Sequence, residues 1–426
     1  MTFLLLAIFA ILPVTILSSN ALASSSHLEG WLQTYGGTGT GQFYAEAFVQ
    51  AYDGGFVIAG LTDSGTLLLK TDSSGNLEWN RTYESGSGVA HSLIGTSDGG
   101  YALVADAQLV KFDAYGNIEW NRTLIEGNMA YSLIQTSDGN YAIAGSSGDV
   151  MLNKEAFWLV KTDELGYTTW SKTYETVMQG AAHSLIQTLD GGYALLGSKS
   201  QGPDFLLIKT DSSGELEWSK TYGSEDIDYG RSIAQNRAGE YALAGTLWNR
   251  SGTGHGGLIK TDSSGNILWM RNYPGGFPLL MAATGEEGYI LCSNLTLFKT
   301  DSEGNTLWTK GLDLPTNFYY TSEFSIIQTY DRGYAILGGA SLPDTDGQSG
   351  ISYVWLLKTD ADGNYLSSPS STVVASNTSS SSQALQPTIT TLPSPTVPEL
   401  KPILILVCAV AACFAAFIFR KKRLLK

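Results

Sequence analysis

Cysteine, histidine and positive charge are all scarce in this chain of 426 residues. Two of the three cysteines, Cys408 and Cys413, fall in one apolar run near the C-terminus, which leaves Cys292 alone in the rest. A single thiol closes no internal disulfide, so packing and hydrogen bonding have to hold the fold. The four histidines, His27, His91, His183 and His255, form no paired metal motif, and neither a nucleophile elbow nor a phosphate loop occurs. Enzymatic activity is therefore not expected. Basic residues number 25 against 40 acidic ones, and five of the basic residues lie beyond position 419, so the remainder carries a formal charge of −20. A surface of that sign repels a phosphate backbone, which argues against a nucleic-acid partner. Many of the aspartates fall in turn-like segments, where Asp is a turn former, so acidity alone marks no acidic site.

Helix-forming composition is also thin. Charged residues are 15%, aromatics reach 11%, and there are 48 glycines. Glycine weakens helices, while Tyr, Trp and Thr favour strands. The expectation is an all-β fold of many short strands joined by tight turns.

Long apolar runs are confined to the two ends. Phe3–Val14 precedes Ala21-Leu22-Ala23, an Ala-x-Ala cleavage pattern, so residues 1–23 read as a secretory signal peptide. No Lys or Arg precedes the run, and retention as an N-terminal anchor is the alternative. Residues 403–419 are apolar throughout and as a helix would span ~26 Å against a hydrocarbon core of ~30 Å. The basic tail 420–426 follows, a pattern that keeps the C-terminus cytoplasmic and places everything before the helix outside. Between them, residues 367–402 are rich in Ser, Thr and Pro and read as an unfolded stalk. Five sequons, at Asn80, Asn121, Asn249, Asn294 and Asn377, are candidate glycosylation sites in such a secreted context.

Residues 24–366 are repetitive. The segment Lys70-Thr71-Asp72-Ser73-Ser74-Gly75-Asn76-Leu77-Glu78-Trp79 recurs with its lysine at 111, 161, 209, 260, 299 and 358, at intervals of 39 to 59 residues. A second segment, typified by Ser184-Leu185-Ile186-Gln187-Thr188-Leu189-Asp190-Gly191-Gly192-Tyr193, also occurs seven times. Each period reads as four strands, a to d, with an Asp-Gly-Gly turn between a and b and an Asp-Ser-Ser-Gly turn between c and d. Radial repetition of such units is a seven-bladed β-propeller. The seventh period lacks its strand d, since Ser367 stands where a Trp is expected. Trp31-Leu32-Gln33-Thr34-Tyr35 matches strand d and has no strand c before it. The ring is therefore expected to close through an N-terminal strand, which removes two free sheet edges. Trp31, Trp79, Trp120, Trp170, Trp218, Trp269 and Trp308 read as blade-to-blade packing, and Cys292 as a small core residue of strand b.

The "DGGY" and "KTDSSGN…W" signatures resemble the propeller repeats of archaeal and bacterial cell-surface proteins, over about residues 28–366. The Asp-x-x-Gly-x-x-x-Trp turn is similar to the tryptophan-docking motif of quinoprotein propellers, with one residue fewer between Asp and Gly, which implies shared blade packing without a quinone cofactor. Val397-Pro398-Glu399-Leu400-Lys401-Pro402 before the apolar run resembles the VPxxxP-type sorting signals of archaeal surface proteins, which implies handling of the tail by an archaeosortase-like enzyme. Retention of the helix as a single-pass anchor stays equally open.

The turns a–b and c–d barely vary between periods, whereas the b–c and d–a loops vary widely. The face with the variable loops is the expected functional one. On it, just before strand a, the periods carry Glu46, His91, Tyr131, His183, Arg231, Leu279 and Phe324. The polar and aromatic members converging on one channel mouth could grip a sugar or a carboxylate. No cofactor motif is visible. Calcium is the one ion that the acidic turns Asp344-Thr345-Asp346-Gly347 and Asp360-Ala361-Asp362-Gly363-Asn364 could take, and both lack a full ligand series. The expectation is a membrane-anchored surface module that binds an extracellular ligand or envelope component. An exported glycan-acting propeller enzyme and a purely structural envelope component are the alternatives.

Overall fold

The computed structural model describes residues 30–366 except 37–42, 85–88, 126–127, 149–154, 175–179, 200–204, 224–227, 249–250, 252, 276–278, 286–287, 315–319 and 344–348, together with the dipeptides 373–374 and 383–384. The expected signal peptide, transmembrane helix and basic tail, and the sequons Asn249 and Asn377, lie outside the described residues. Among those described, no helix is long and apolar enough to cross a membrane.

Each of the seven sheets contains four antiparallel strands, and in six of them those four strands are consecutive in the chain. In the first, strands a to d are Phe43–Gln50, Phe56–Thr62, Gly65–Thr71 and Leu77–Glu84. The seven hydrophobic clusters are assembled across blade boundaries, as where Phe157 and Leu159 of the third blade meet Leu185 and Leu195 of the fourth. The seventh blade takes its strand d from the N-terminus: Trp31–Gly36 pairs antiparallel with Ser349–Thr359, and Trp31 stands opposite Lys358. The same Lys–Trp register recurs within the other blades, as in Lys70↔Trp79 and Lys209↔Trp218. Cys292 is fully buried in strand b of the sixth blade, Tyr289–Ser293.

Each indole does its main work in the next blade. Trp31 lies on Gly75, Trp79 on Gly116, Trp120 on Gly166, Trp170 on Gly214, Trp218 on Gly265, Trp269 on Gly304 and Trp308 on Gly363. These seven glycines end the c–d turns at φ between +74° and +82°. A Cβ on any of them would stand 2.5–2.9 Å from the indole, too close for a side chain. Four residues after the Trp, a tyrosine completes the clamp. Tyr35, Tyr174, Tyr222 and Tyr273 donate to the carbonyl of the same glycine at 2.7–2.8 Å, and Tyr83 donates likewise to Gly116. Leu124 and Leu312 replace that tyrosine in two blades.

A second recurrent contact ties the two turns of one blade together. The strand c lysines are 3–7% exposed, and a buried ammonium is tolerated only with partners. Lys70, Lys111, Lys161, Lys209 and Lys358 reach the a–b turn aspartates Asp53, Asp98, Asp138, Asp190 and Asp331 at 2.6–2.9 Å. Glu78, Glu119 and Glu217 of strand d add a second carboxylate in three blades. Burial raises the Asp98 carboxyl, and hydrogen bonds from Thr96, Lys111 and the Gly100 amide outweigh it and bring it down to about 2.

Two dipeptides of the Ser/Thr/Pro-rich segment pair with propeller strands. Val373–Val374 runs parallel to Tyr35–Gly36, and Gln383–Ala384 runs parallel to Tyr83–Glu84. Both dipeptides use the free backbone groups that an outermost strand leaves unpaired.

Alanine at Gly166 is expected to cost about 2–5 kcal/mol, combining ~1–2 for a side chain at positive φ with ~1–3 for displacing Trp120. Gly191, at φ +85° with nothing within 4 Å of a Cβ, isolates the first part and should lose only ~1–2 kcal/mol. Equal losses in denaturant unfolding would show that the indole contact does not matter.

Candidate functional site at the channel mouth

The innermost strand of six blades contains one residue more than its partner strand. The pairing skips between Ala45 and Ala47, Ala90 and Ser92, Ala130 and Ser132, Ala182 and Ser184, Gly230 and Ser232, and Glu323 and Ser325. The skipped residues are Glu46, His91, Tyr131, His183, Arg231 and Phe324. They were expected just ahead of strand a; they lie inside it, each as the extra residue of a β-bulge. A bulge leaves its residue without a partner on the adjacent strand and re-aims the side chain.

The flanking residues explain the local geometry. Ala45, Ala90, Ala130 and Ala182, each just before the bulge, are fully buried, so only a small side chain fits. The serine after the bulge stitches neighbouring blades: Ser92, Ser132 and Ser184 accept the amides of Leu133, Leu185 and Ile233 at 3.1–3.2 Å. These serines were not singled out in the sequence, although the Ala-x-Ser triplet around the variable residue is their signal. Leu279 is the correction to the expected ring. The sixth blade has no such register skip, its strand a begins at Leu280, and Leu279 is fully buried in the core with Tyr273, Leu291 and Phe298.

Four of the bulge residues touch in sequence around the channel. His91 Nδ1 lies 3.0 Å from Glu46 Oε2. The Tyr131 ring stands between His91 and His183, with centroids 5.1 and 5.2 Å away. Arg231 continues the arc in the next blade. Burial, then the charge of Arg231, then that of His91 drive the His183 imidazole down to about 3, so it is neutral at physiological pH. Burial lowers the Arg231 guanidinium, against the opposing pull of Glu46 and Tyr229. Burial likewise raises the Tyr131 phenol. The result is an aromatic wall with a carboxylate at one end and a guanidinium at the other.

Some chemistries fit this arrangement poorly. With Tyr131 between them, His91 and His183 do not share a metal, and no metal-sized group of three His, Cys, Asp or Glu occurs among the described residues. Glu46 is the one acid among the six bulge residues, so the arc holds no carboxylate pair. Of the two acidic turns, Asp344–Gly347 lies outside the described residues. In the other, Asp360 accepts from the amides of Asp362 and Asn364 at 2.9 and 2.7 Å and from Asn364 Nδ2 at 2.9 Å, so its oxygens already serve the turn. Of the sequons, Asn294 is exposed in the b–c turn of the sixth blade, Asn80 is half-buried on a strand d, and Asn121 is 3% exposed, with no room for a sugar in the folded state.

No family model matches the chain, and no curated protein is similar to it. Solved structures share the fold. A streptogramin B lyase superposes with a TM-score of 0.54 at 12% identity, covering 78% of this chain and 98% of that one. The Pan2 WD40 domain of Neurospora crassa gives 0.52 at 10% identity, covering 76% and 91%. The extracellular domain of a hybrid two-component system from B. thetaiotaomicron gives 0.50 at 11% identity, covering 80% of this chain and 44% of that one. At these identities the likeness is one of fold, the β-propeller.

The His183 imidazole is expected to show no titration between about pH 5 and 8 by NMR. Arg231→Ala should raise its pKa, because one of the charges that disfavours the imidazolium is removed. A midpoint near the usual histidine value in the unaltered protein would contradict the burial described here.

Proposed function

We propose that this chain is a cell-surface propeller, exported and held at the membrane by its C-terminal segment, whose channel mouth recognises an extracellular ligand or envelope component. The observation that carries the reading is the arc Glu46–His91–Tyr131–His183–Arg231, built from the one position in strand a that varies freely from blade to blade while the scaffold around it repeats. Diversity at a bulge on a rigid ring is how a repeat fold makes one specific surface. The arc's chemistry suits a polar ligand with an apolar face, such as a sugar ring carrying an acidic group. Tyr131 and the neutral His183 offer faces to stack on, and Arg231 offers a planar, bidentate cation. Phe324, in the blade on the other side of Glu46, extends the apolar part. Export and anchoring rest on the Ala-x-Ala site, the apolar run 403–419 and the basic tail.

The test is saturable binding of the purified full-length protein to cell-envelope fractions and surface glycans. A variant with His91, Tyr131, His183 and Arg231 all changed to alanine should bind at least about tenfold more weakly, a loss of ~1.4 kcal/mol or more, while keeping its strand signature by circular dichroism. Undiminished binding by the folded variant would move recognition away from the mouth, and no saturable binding by the unaltered protein would contradict a recognition module.

A further inference from the structure

The opposite face of the ring, formed by the a–b turns, is stitched by glutamines at the end of strand a. Each such Gln accepts, through Oε1, an amide of the preceding blade's a–b turn. Ser97 donates to Gln135, Ser137 to Gln187, Leu189 to Gln235, Gly285 to Gln328 and, across the ring closure, Tyr330 to Gln50, all at 2.8–2.9 Å. The same carboxamide then donates to its own turn, with Nε2 at 3.0–3.4 Å from the carbonyls of Gly54, Gly139, Gly191 and Gly239. Five of the seven boundaries are bridged in this way.

Two are not. The second blade has Gly95 in place of the glutamine, and there the Tyr52 hydroxyl spans the boundary to the Thr96 carbonyl at 3.4 Å. The sixth blade has Ala283, and no glutamine bridge forms there; the boundary is crossed instead by Lys260, whose ammonium donates to the Tyr289 hydroxyl at 3.0 Å. A cavity of about 200 Å³ opens between the fifth and sixth blades, lined by Gln235, Asn236, Arg237, Ala283, Thr284 and Tyr289. The Arg237 amide, equivalent to those that bond glutamines elsewhere, has no acceptor among the described residues.

We propose that this cavity is a binding site for a carboxamide side chain, supplied by a glutamine of a partner peptide or by the free amino acid. The ring itself displays the required chemistry: an oxygen for the turn amide at five boundaries and, in four of those glutamines, an N–H for a turn carbonyl. An unmet amide at a cavity rim favours an acceptor that restores the bond. A carboxylate is the poorer match, because the chain is acidic overall. This site is independent of the channel mouth on the other face.

The test uses the full-length protein and an N-acetylated pentapeptide with a central glutamine, its glutamate and alanine counterparts, and free L-glutamine. The glutamine peptide should bind about fivefold or more tightly than either counterpart and shift the Arg237 amide resonance. Binding of free L-glutamine as well would identify the amino acid as a sufficient ligand, and binding of the peptide alone a segment of a partner. Ala283→Gln should abolish the binding and slow hydrogen exchange at the Arg237 amide about fivefold, the built-in carboxamide occupying the site. Gly95→Gln, which adds the same side chain at the other gap, should leave binding unchanged. Equal binding of the glutamine and alanine peptides, no binding of any probe, or undiminished binding by Ala283→Gln would overturn the proposal. The peptide comparison on the unaltered protein decides the matter even if the Ala283 variant fails to fold.

Discussion

The contact of one indole with one glycine of the following blade is the constraint on which this ring depends. It explains three features at once. A Trp is needed on strand d because only a flat, wide side chain covers the neighbouring turn. A glycine is needed at the turn because its φ is positive and because a Cβ would occupy the indole's place. An N-terminal strand is needed in the seventh blade because, without Trp31, the turn ending at Gly75 would have no indole above it and two sheet edges would stay open. With one cysteine in the described residues and no disulfide, repetition of this contact around a closed circle supplies the rigidity that cross-links give smaller secreted domains.

That rigidity is what lets the channel mouth vary. A bulge in an isolated hairpin would loosen it, since one residue loses its ladder bonds. Here the bulged strands are the innermost ones, held by their own blade on one side and, from the second to the fifth blade, by serine-to-amide bonds between neighbouring blades. The residue at the bulge takes no part in those bonds, and its identity differs from blade to blade. The chain uses that freedom to set a carboxylate, two imidazoles, a phenol and a guanidinium along one arc. The opposite face follows the reverse rule: its aspartates, lysines and glutamines recur because each is a structural partner, and at one of the two places where the glutamine lapses, Ala283, a cavity opens.

Most of the architecture was legible from the residues alone. The period, the four-strand unit and the displaced strand d could be read because they repeat, and a repeat makes every omission visible, as Ser367 and Trp31 do together. The six bulge residues were legible as a variable column for the same reason. That they form bulges was not, because a bulge is a mismatch between two paired strands and leaves no mark on either strand by itself. Leu279 was placed with the ring because it aligns with the column, but the sixth blade pairs without an extra residue and an apolar side chain there turns into the core. Asn121 illustrates a similar limit: the sequon is local, whereas burial depends on which face of strand d meets the next blade. The glutamine bridges were unread because Gln at the end of strand a looks like an ordinary solvent-facing residue until the neighbouring turn is brought beside it.

The claim that indole–glycine docking holds the blades together is tested most directly by a double-mutant cycle on Trp308 and Gly363, where the three nearest atoms to a Cβ at residue 363 all belong to the indole. If the account is right, Gly363→Ala is costly in the unaltered protein. In the Trp308→Ala background it costs only the strain of its positive φ, so the two losses fall short of additivity by about 1 kcal/mol or more. Losses that add to within ~0.3–0.5 kcal/mol, the behaviour of independent sites, would contradict it.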